Sequence, residues 1–180
     1  FGCSRFVFNH FLAKWDNAYK ETGKGLTYNS CSAQLTQLKK ELTWLKEVDS
    51  IAIQSSLKNL ADAYSRFFKK QNDRPRFKSK KNPVQSYTTK HTNGNIAIDG
   101  NKIKLPKLGW IRFAKSREVE GRILNATVRR NPSGKYFKSE GTFEVSLDFV
   151  AFEDSNKENE FIKIRLKSFY RFDKPIEYNE

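Results

Sequence analysis

The chain contains no methionine, and residue 1 is Phe. A complete reading frame opens with Met, so a fragment or a processed product is expected. Only two cysteines occur, Cys3 and Cys31, and they form no Cys-x-x-Cys pair. The two histidines, His10 and His91, lie far apart, so no zinc-ligand spacing exists. Two unpaired thiols in a reducing cytosol are the expected state. No apolar run approaches the roughly 18 residues of a spanning helix. No signal-peptide pattern opens the chain. The expected location is therefore the cytoplasm, with no membrane partner. The glycine-rich phosphate loop, the dinucleotide fingerprint, the zinc-protease His-Glu-x-x-His and the serine-nucleophile elbow are all missing. Two-metal nucleases need clustered carboxylates to hold their cations. The acids before residue 148 are scattered. Asp148 follows Val145-Ser146-Leu147, a setting like that of a strand-end catalytic aspartate, yet none of the later carboxylates is an obvious partner for it. It reads as a surface acid. No catalytic residue, metal or cofactor is expected in these residues.

What is present is positive charge and aromatic mass. The 180 residues hold 34 Lys plus Arg against 20 Asp plus Glu, a formal charge of +14. They also hold 15 Phe, 7 Tyr and 3 Trp, enough apolar bulk for a packed core. Such a charge speaks of partners rather than of fold. Nucleic acid is the partner it fits. The charge is uneven. Residues 66–117 carry fifteen Lys/Arg and two acids, Asp73 and Asp99. Residues 148–180 carry six basic and eight acidic residues, so 1–147 hold 28 against 12, or +16. A boundary near 147 is expected, with 153–160 a solvated loop.

Periodicity divides the chain into an α part and a β part. Phe8, Phe11, Leu12, Trp15 and Tyr19 recur at three- and four-residue spacing, one face of a helix. Gly23 and Gly25 should stop it. A second helix is expected over 29–41, burying Leu35, Leu38 and Leu42. Asp49 should cap a third, whose stripe is Ile53, Leu57, Leu60, Ala61, Tyr64, Phe67 and Phe68. After Pro75 the period shortens. Asn95–Ile98 and Lys102–Leu105 alternate around Asp99-Gly100-Asn101, a hairpin signal. Gly109–Phe113, Ile123–Val128, Tyr136-Phe137 and Phe143–Leu147 read as further strands. The expected class is α+β: a helical bundle over 1–72, a small antiparallel β-barrel over 73–147, and a divergent tail over 148–180. The alternating run 161–172 could add a strand to an open barrel edge.

The most informative segment is Arg74-Pro75-Arg76-Phe77-Lys78-Ser79-Lys80-Lys81, five cations and one aromatic in eight residues. Such a run can neutralise phosphates and release counterions. Tyr87 and Lys90 follow on a presumed strand among hydrogen-bonding residues, with Tyr87 able to stack on a base. A charged edge that merely blocks strand pairing is the plain alternative.

Several ordered segments resemble the TnpB (OrfB) proteins of insertion sequences, RNA-guided nucleases related to type V CRISPR effectors. They are Arg5–Leu12, Gly25-Leu26-Thr27-Tyr28, Trp44–Asp49, Gln54–Leu60, Pro75–Lys78, Leu105–Trp110 and Gly121–Val128. Together they cover residues 2–138. The resemblance implies a helical recognition domain with a β-barrel wedge domain. It implies guide RNA and double-stranded DNA as partners. Positions matching the surface that reads a short DNA motif are Tyr28, Gln54 and Thr92. Ser50 falls where a relative has lysine. Arg74, Arg76, Lys78, Lys80, Lys81, Tyr87 and Lys90 would hold RNA or phosphates. The family's first wedge strand does not precede the first helix here, and its nuclease domain and zinc ribbon are not matched. The expected function is therefore a nuclease-deficient recognition module. It would be partnered by a separate nuclease domain or an intact relative. The alternatives are the recognition part of a complete nuclease, and a protein-binding inhibitor or repressor derived from the family.

Overall fold

A computed structural model describes residues 1–82, 84–113, 121–131, 142–151 and 162–168. The chain divides into two units, 1–82 with 87–90, and 83–86 with 91–180. The first unit thus runs through the basic segment rather than ending near residue 72.

In the first unit, helix α1 spans Gly2–Thr22, α2 spans Tyr28–Glu41 and α3 spans Ser50–Phe68. Gly23 ends α1 in the left-handed conformation, φ 68°, and its N–H reaches Tyr19 O at 2.9 Å. Helix α2 begins one residue earlier than the sequence suggests. Thr27 and Ser30 close a reciprocal capping box there, each side chain accepting the other's backbone N–H. Asp49 caps α3 as expected, accepting from Ile51 N at 2.9 Å. A 3-10 turn, Thr43–Lys46, drops the fully buried Leu45 between α2 and α3.

The core joins Val7, Phe8, Phe11, Leu12 and Trp15 of α1 to Cys31, Leu35 and Leu38 of α2 and to Ile53, Leu57, Leu60 and Tyr64 of α3. The apolar stripes run shorter than their sequence pattern. Tyr19 is 51% exposed and Phe68 57% exposed, since each lies a turn beyond the end of the core. Leu42 is only partly buried. Trp15 stacks on Tyr64 at 4.5 Å, 11° from parallel.

Two antiparallel sheets make up the β structure. Strands β2 (Ala97–Asp99), β3 (Lys102–Leu105) and β4 (Gly109–Arg112) form a three-stranded meander. Strands β1 (Gln85–Lys90), β5 (Gly121–Asn131), β6 (Thr142–Ala151) and β7 (Ile162–Ser168) form the other sheet, in that order. Strand β1 begins in the second unit, and its last four residues group with the first. The expected barrel is not seen. Among the described residues the sheets remain separate, with β1 and β7, and β2 and β4, at their edges. Tight turns at 99–102 and 105–109 fold the short strands back on themselves, whereas the long β5 and β6 pair with each other. The β5–β6 ladder breaks register between Ile123 and Asn125, and Leu124 O there accepts from His91 N at 2.8 Å.

Residue 147 lies inside β6, which continues to Ala151, so Asp148 is within a strand rather than at its end. Strand β7 pairs with β6 from Phe143↔Ser168 to Phe149↔Ile162. The expected strand at Tyr136-Phe137 and the loop 153–160 lie outside the described residues.

Candidate nucleic-acid interface

The basic segment is strapped to α1 at two points. Asn9 holds the backbone of Lys78 from both sides. Its Oδ1 accepts from Lys78 N at 2.8 Å, and its Nδ2 donates to Lys78 O at 2.9 Å. Two turns along the helix, Asp16 Oδ1 accepts from Arg74 at 2.7 Å and from the Tyr64 hydroxyl at 2.6 Å. Both anchors lie on α1, at Asn9 and Asp16, and they hold residues four apart in the basic segment.

The anchors sort the cations. Arg74 is engaged by Asp16, and its charge is partly cancelled. Lys78 places its ammonium 4.1 Å from the centre of the Phe8 ring, a cation–π contact, and burial lowers its pKa. Arg76 lies 4.0 Å from Asp73 with both side chains almost fully exposed, a pair of little worth in water. Lys80 and Lys81 are exposed. Phe77, between Arg76 and Lys78, is 60% exposed.

Burial tends to raise the Asp16 carboxyl, but the hydrogen bonds from Tyr64 and Arg74 outweigh it. The group is held below its ordinary value. Burial and the Asp16 bond push the Tyr64 phenol well up.

Tyr87 lies on β1 and is half-buried. Its ring meets the Phe1 ring in an edge contact at 5.4 Å, and burial pushes its hydroxyl up to about 12. Lys90, on the same strand, is exposed.

Ser50, Gln54 and Lys58 recur at four-residue spacing, one exposed face of α3. Lys39 of α2 donates to Ser50 Oγ at 2.7 Å. The Lys58 ammonium lies 5.9 Å from the Tyr28 ring centre and 2.8 Å from Asp62. The structure therefore gathers Tyr28, Ser50 and Gln54 on the α2–α3 surface and adds Lys39 and Lys58. The sequence reading missed both lysines. Lys58 was legible as the residue four beyond Gln54. Lys39 was not, because it meets Ser50 only through helix packing. Thr92 belongs to the second unit, exposed in the turn after β1, where its N–H donates to Asn95 Oδ1 at 2.6 Å.

Among the described residues no group of three or more His, Cys, Asp or Glu could hold a metal, and no helix is long and apolar enough to cross a membrane.

Comparison with known proteins gives a family match and two relatives. A helix-turn-helix domain description for OrfB proteins of IS605-type elements matches residues 1–24, which here form α1 and its cap. A protein of Escherichia coli (strain K12) named RNA-guided DNA endonuclease InsQ is 35% identical over 148 residues, 81% of this chain and 36% of that protein. A Streptomyces pristinaespiralis protein named RNA-guided DNA endonuclease is 31% identical over 144 residues, 77% of this chain and 35% of that protein. The chain thus spans about a third of the length of the curated relatives it matches.

Proposed function

From this chain's relation to the N-terminal region of the TnpB (OrfB) proteins of insertion sequences, we propose that its 180 residues form a nucleic-acid recognition module. In this reading it holds a guide RNA and a short DNA duplex motif and does not cut either. The observation that carries the reading is the strap 74–81. Its backbone is held to α1 by Asn9 at Lys78, its Arg74 side chain is held by Asp16, and Arg76, Lys80 and Lys81 are exposed. Cations carried on a tethered segment neutralise phosphates at a lower ordering cost than those on a free one. On the α2–α3 face, Tyr28, Gln54 and the Lys39–Ser50 pair supply donors and acceptors suited to base edges. Thr92, exposed in the second unit, is a further polar candidate by itself. Arg74 and Lys78 act here as anchors as much as phosphate ligands.

The test is affinity against salt, using labelled RNA and duplex DNA. The log–log slope should be steep. Exchanging Arg76, Lys80 and Lys81 for Glu should reduce it by about 0.7 to 0.9 for each phosphate no longer neutralised. A slope that does not move would remove the strap from the interface.

The greater length of the relatives favours a second reading, in which these residues serve a longer, cutting protein. RNA-dependent cleavage of DNA by a protein containing this sequence would support it.

A further inference from the structure

The β2–β3–β4 meander carries one feature that its core does not need. Along β3 the residues alternate, with Lys102 and Lys104 exposed and Ile103 and Leu105 buried. Ile96 and Phe113 are buried as well, and the side of β3 that carries Ile103 and Leu105 is its covered face. The outer face should be polar throughout. Instead it carries Trp110, 50% exposed. Register places Trp110 directly opposite Lys104, and Arg112 directly opposite Lys102. Directly paired residues point to the same side, with Cβ atoms roughly 5 Å apart. Four side chains thus form a square of three cations and one indole. Asp99, opposite Lys102, is the single acid on this face of the meander. Among the described residues, none of the three cations takes part in an ion pair.

The platform is held in place. Gly100 (φ 53°) turns β2 into β3, and Lys107 and Gly109 (φ 66° and 69°) turn β3 into β4. Phe113 N donates to Asn101 O at 2.8 Å, fixing the open end. A slip of β4 by one residue would turn Trp110 to the covered face and Ile111 to the open one, so burial favours the observed register.

We infer that Trp110 with Lys102, Lys104 and Arg112 is a stacking site for an unpaired base of an RNA strand, whose flanking phosphates the three cations hold. An exposed indole beside cations is a poor solubilising surface and a good base platform. RNA offers splayed bases at loops and ends, which stack on aromatic rings, whereas duplex bases present no free face. This site lies apart in sequence from the strap and from the α2–α3 face, and it rests on the nucleic-acid reading above.

The test uses the full chain and three labelled probes: a 15-nucleotide oligouridine, the matching oligothymidine, and a fully paired RNA duplex. Trp110→Leu should weaken oligouridine binding by roughly 5- to 100-fold, the range for one stacked base. It should leave the salt slope unchanged and the duplex affinity within about twofold. Trp110→Phe should recover most of the loss. Changing Lys104 and Arg112 to Gln should flatten the slope by about 0.7 for each phosphate released. Urea unfolding of Trp110→Leu should match the unaltered chain, which separates a missing stacking partner from a damaged fold. Oligouridine binding untouched by Trp110→Leu would overturn the site and leave the strap reading standing. A loss confined to oligothymidine would overturn the RNA assignment. An unaltered chain that binds none of the probes would overturn both readings.

Discussion

Asp16 should be the most costly single polar residue of the helical unit. Its Oδ1 accepts from the Tyr64 hydroxyl at 2.6 Å and from Arg74 at 2.7 Å. The two bonds differ in worth. Tyr64 is 4% exposed, so its hydroxyl loses its partner away from bulk water when Asp16 is replaced by Ala. A hydrogen bond to a charged group contributes about 1.5 to 3 kcal/mol, and an orphaned buried donor adds its desolvation cost. The Arg74 side chain is 55% exposed, so its pairing adds about 0 to 1 kcal/mol. Asp16→Ala should therefore cost about 2 to 3 kcal/mol, Tyr64→Phe about 1 to 2, and Arg74→Ala less than about 1. Trp15 stacks on Tyr64, so tryptophan fluorescence during urea unfolding, read in a Trp110→Phe background, follows this unit. In a double-mutant cycle, Asp16→Ala and Tyr64→Phe should couple by at least about 1 kcal/mol. Additive effects, or an Arg74→Ala cost equal to that of Tyr64→Phe, would refute the reasoning.

The same carboxyl has a pH signature. Its folded pKa lies below its unfolded value, so the unfolded chain takes up its proton first as pH falls. Its contribution is complete above the unfolded value, near 4, and fades as pH falls through the native one. Asp16→Asn should flatten urea midpoints between about pH 5 and pH 2. Gly25→Ala should destabilise the unit by about 1 to 3 kcal/mol, because a Cβ there would run into the Trp15 indole nitrogen. A thermal midpoint equal to the unaltered chain's would show that the loop moves aside. Leu60→Ala, at a fully buried core position, should cost about 2 to 5 kcal/mol by chemical denaturation. A cost under about 1 kcal/mol would mean that the core around α3 refills the cavity.

Much was legible along the chain because it is local. Helix stripes, the Asp49 cap, the Gly23 stop and the Asp99-Gly100 hairpin each depend on a few neighbouring residues and on backbone sterics. Positive charge and the basic run were equally plain, since charge is a property of composition. The ends of the stripes were not. Tyr19 and Phe68 keep the helical period, but nothing in that period says where the neighbouring helix stops covering them.

The candidate site divides in the same way. Composition pointed to the cations of 74–81, and the family resemblance to Tyr28, Ser50, Gln54 and Thr92. Neither could tell an anchor from a ligand. Arg74 is tied to Asp16, 58 positions away, and the Lys78 backbone to Asn9, 69 positions away. Such partners are chosen by packing, not by spacing. Phe1, 86 positions from Tyr87, packs against its ring. Trp110 read as one more strand residue until register set it opposite Lys104 on the solvent face. Sequence thus determined the elements, the class and the sign of the charge, all set within a few residues. Only the tertiary structure decided how the described strands are ordered in their sheets, which cations meet partners from distant segments and which aromatic rings face water. Those outcomes depend on the packing of distant segments against one another, which no local pattern encodes.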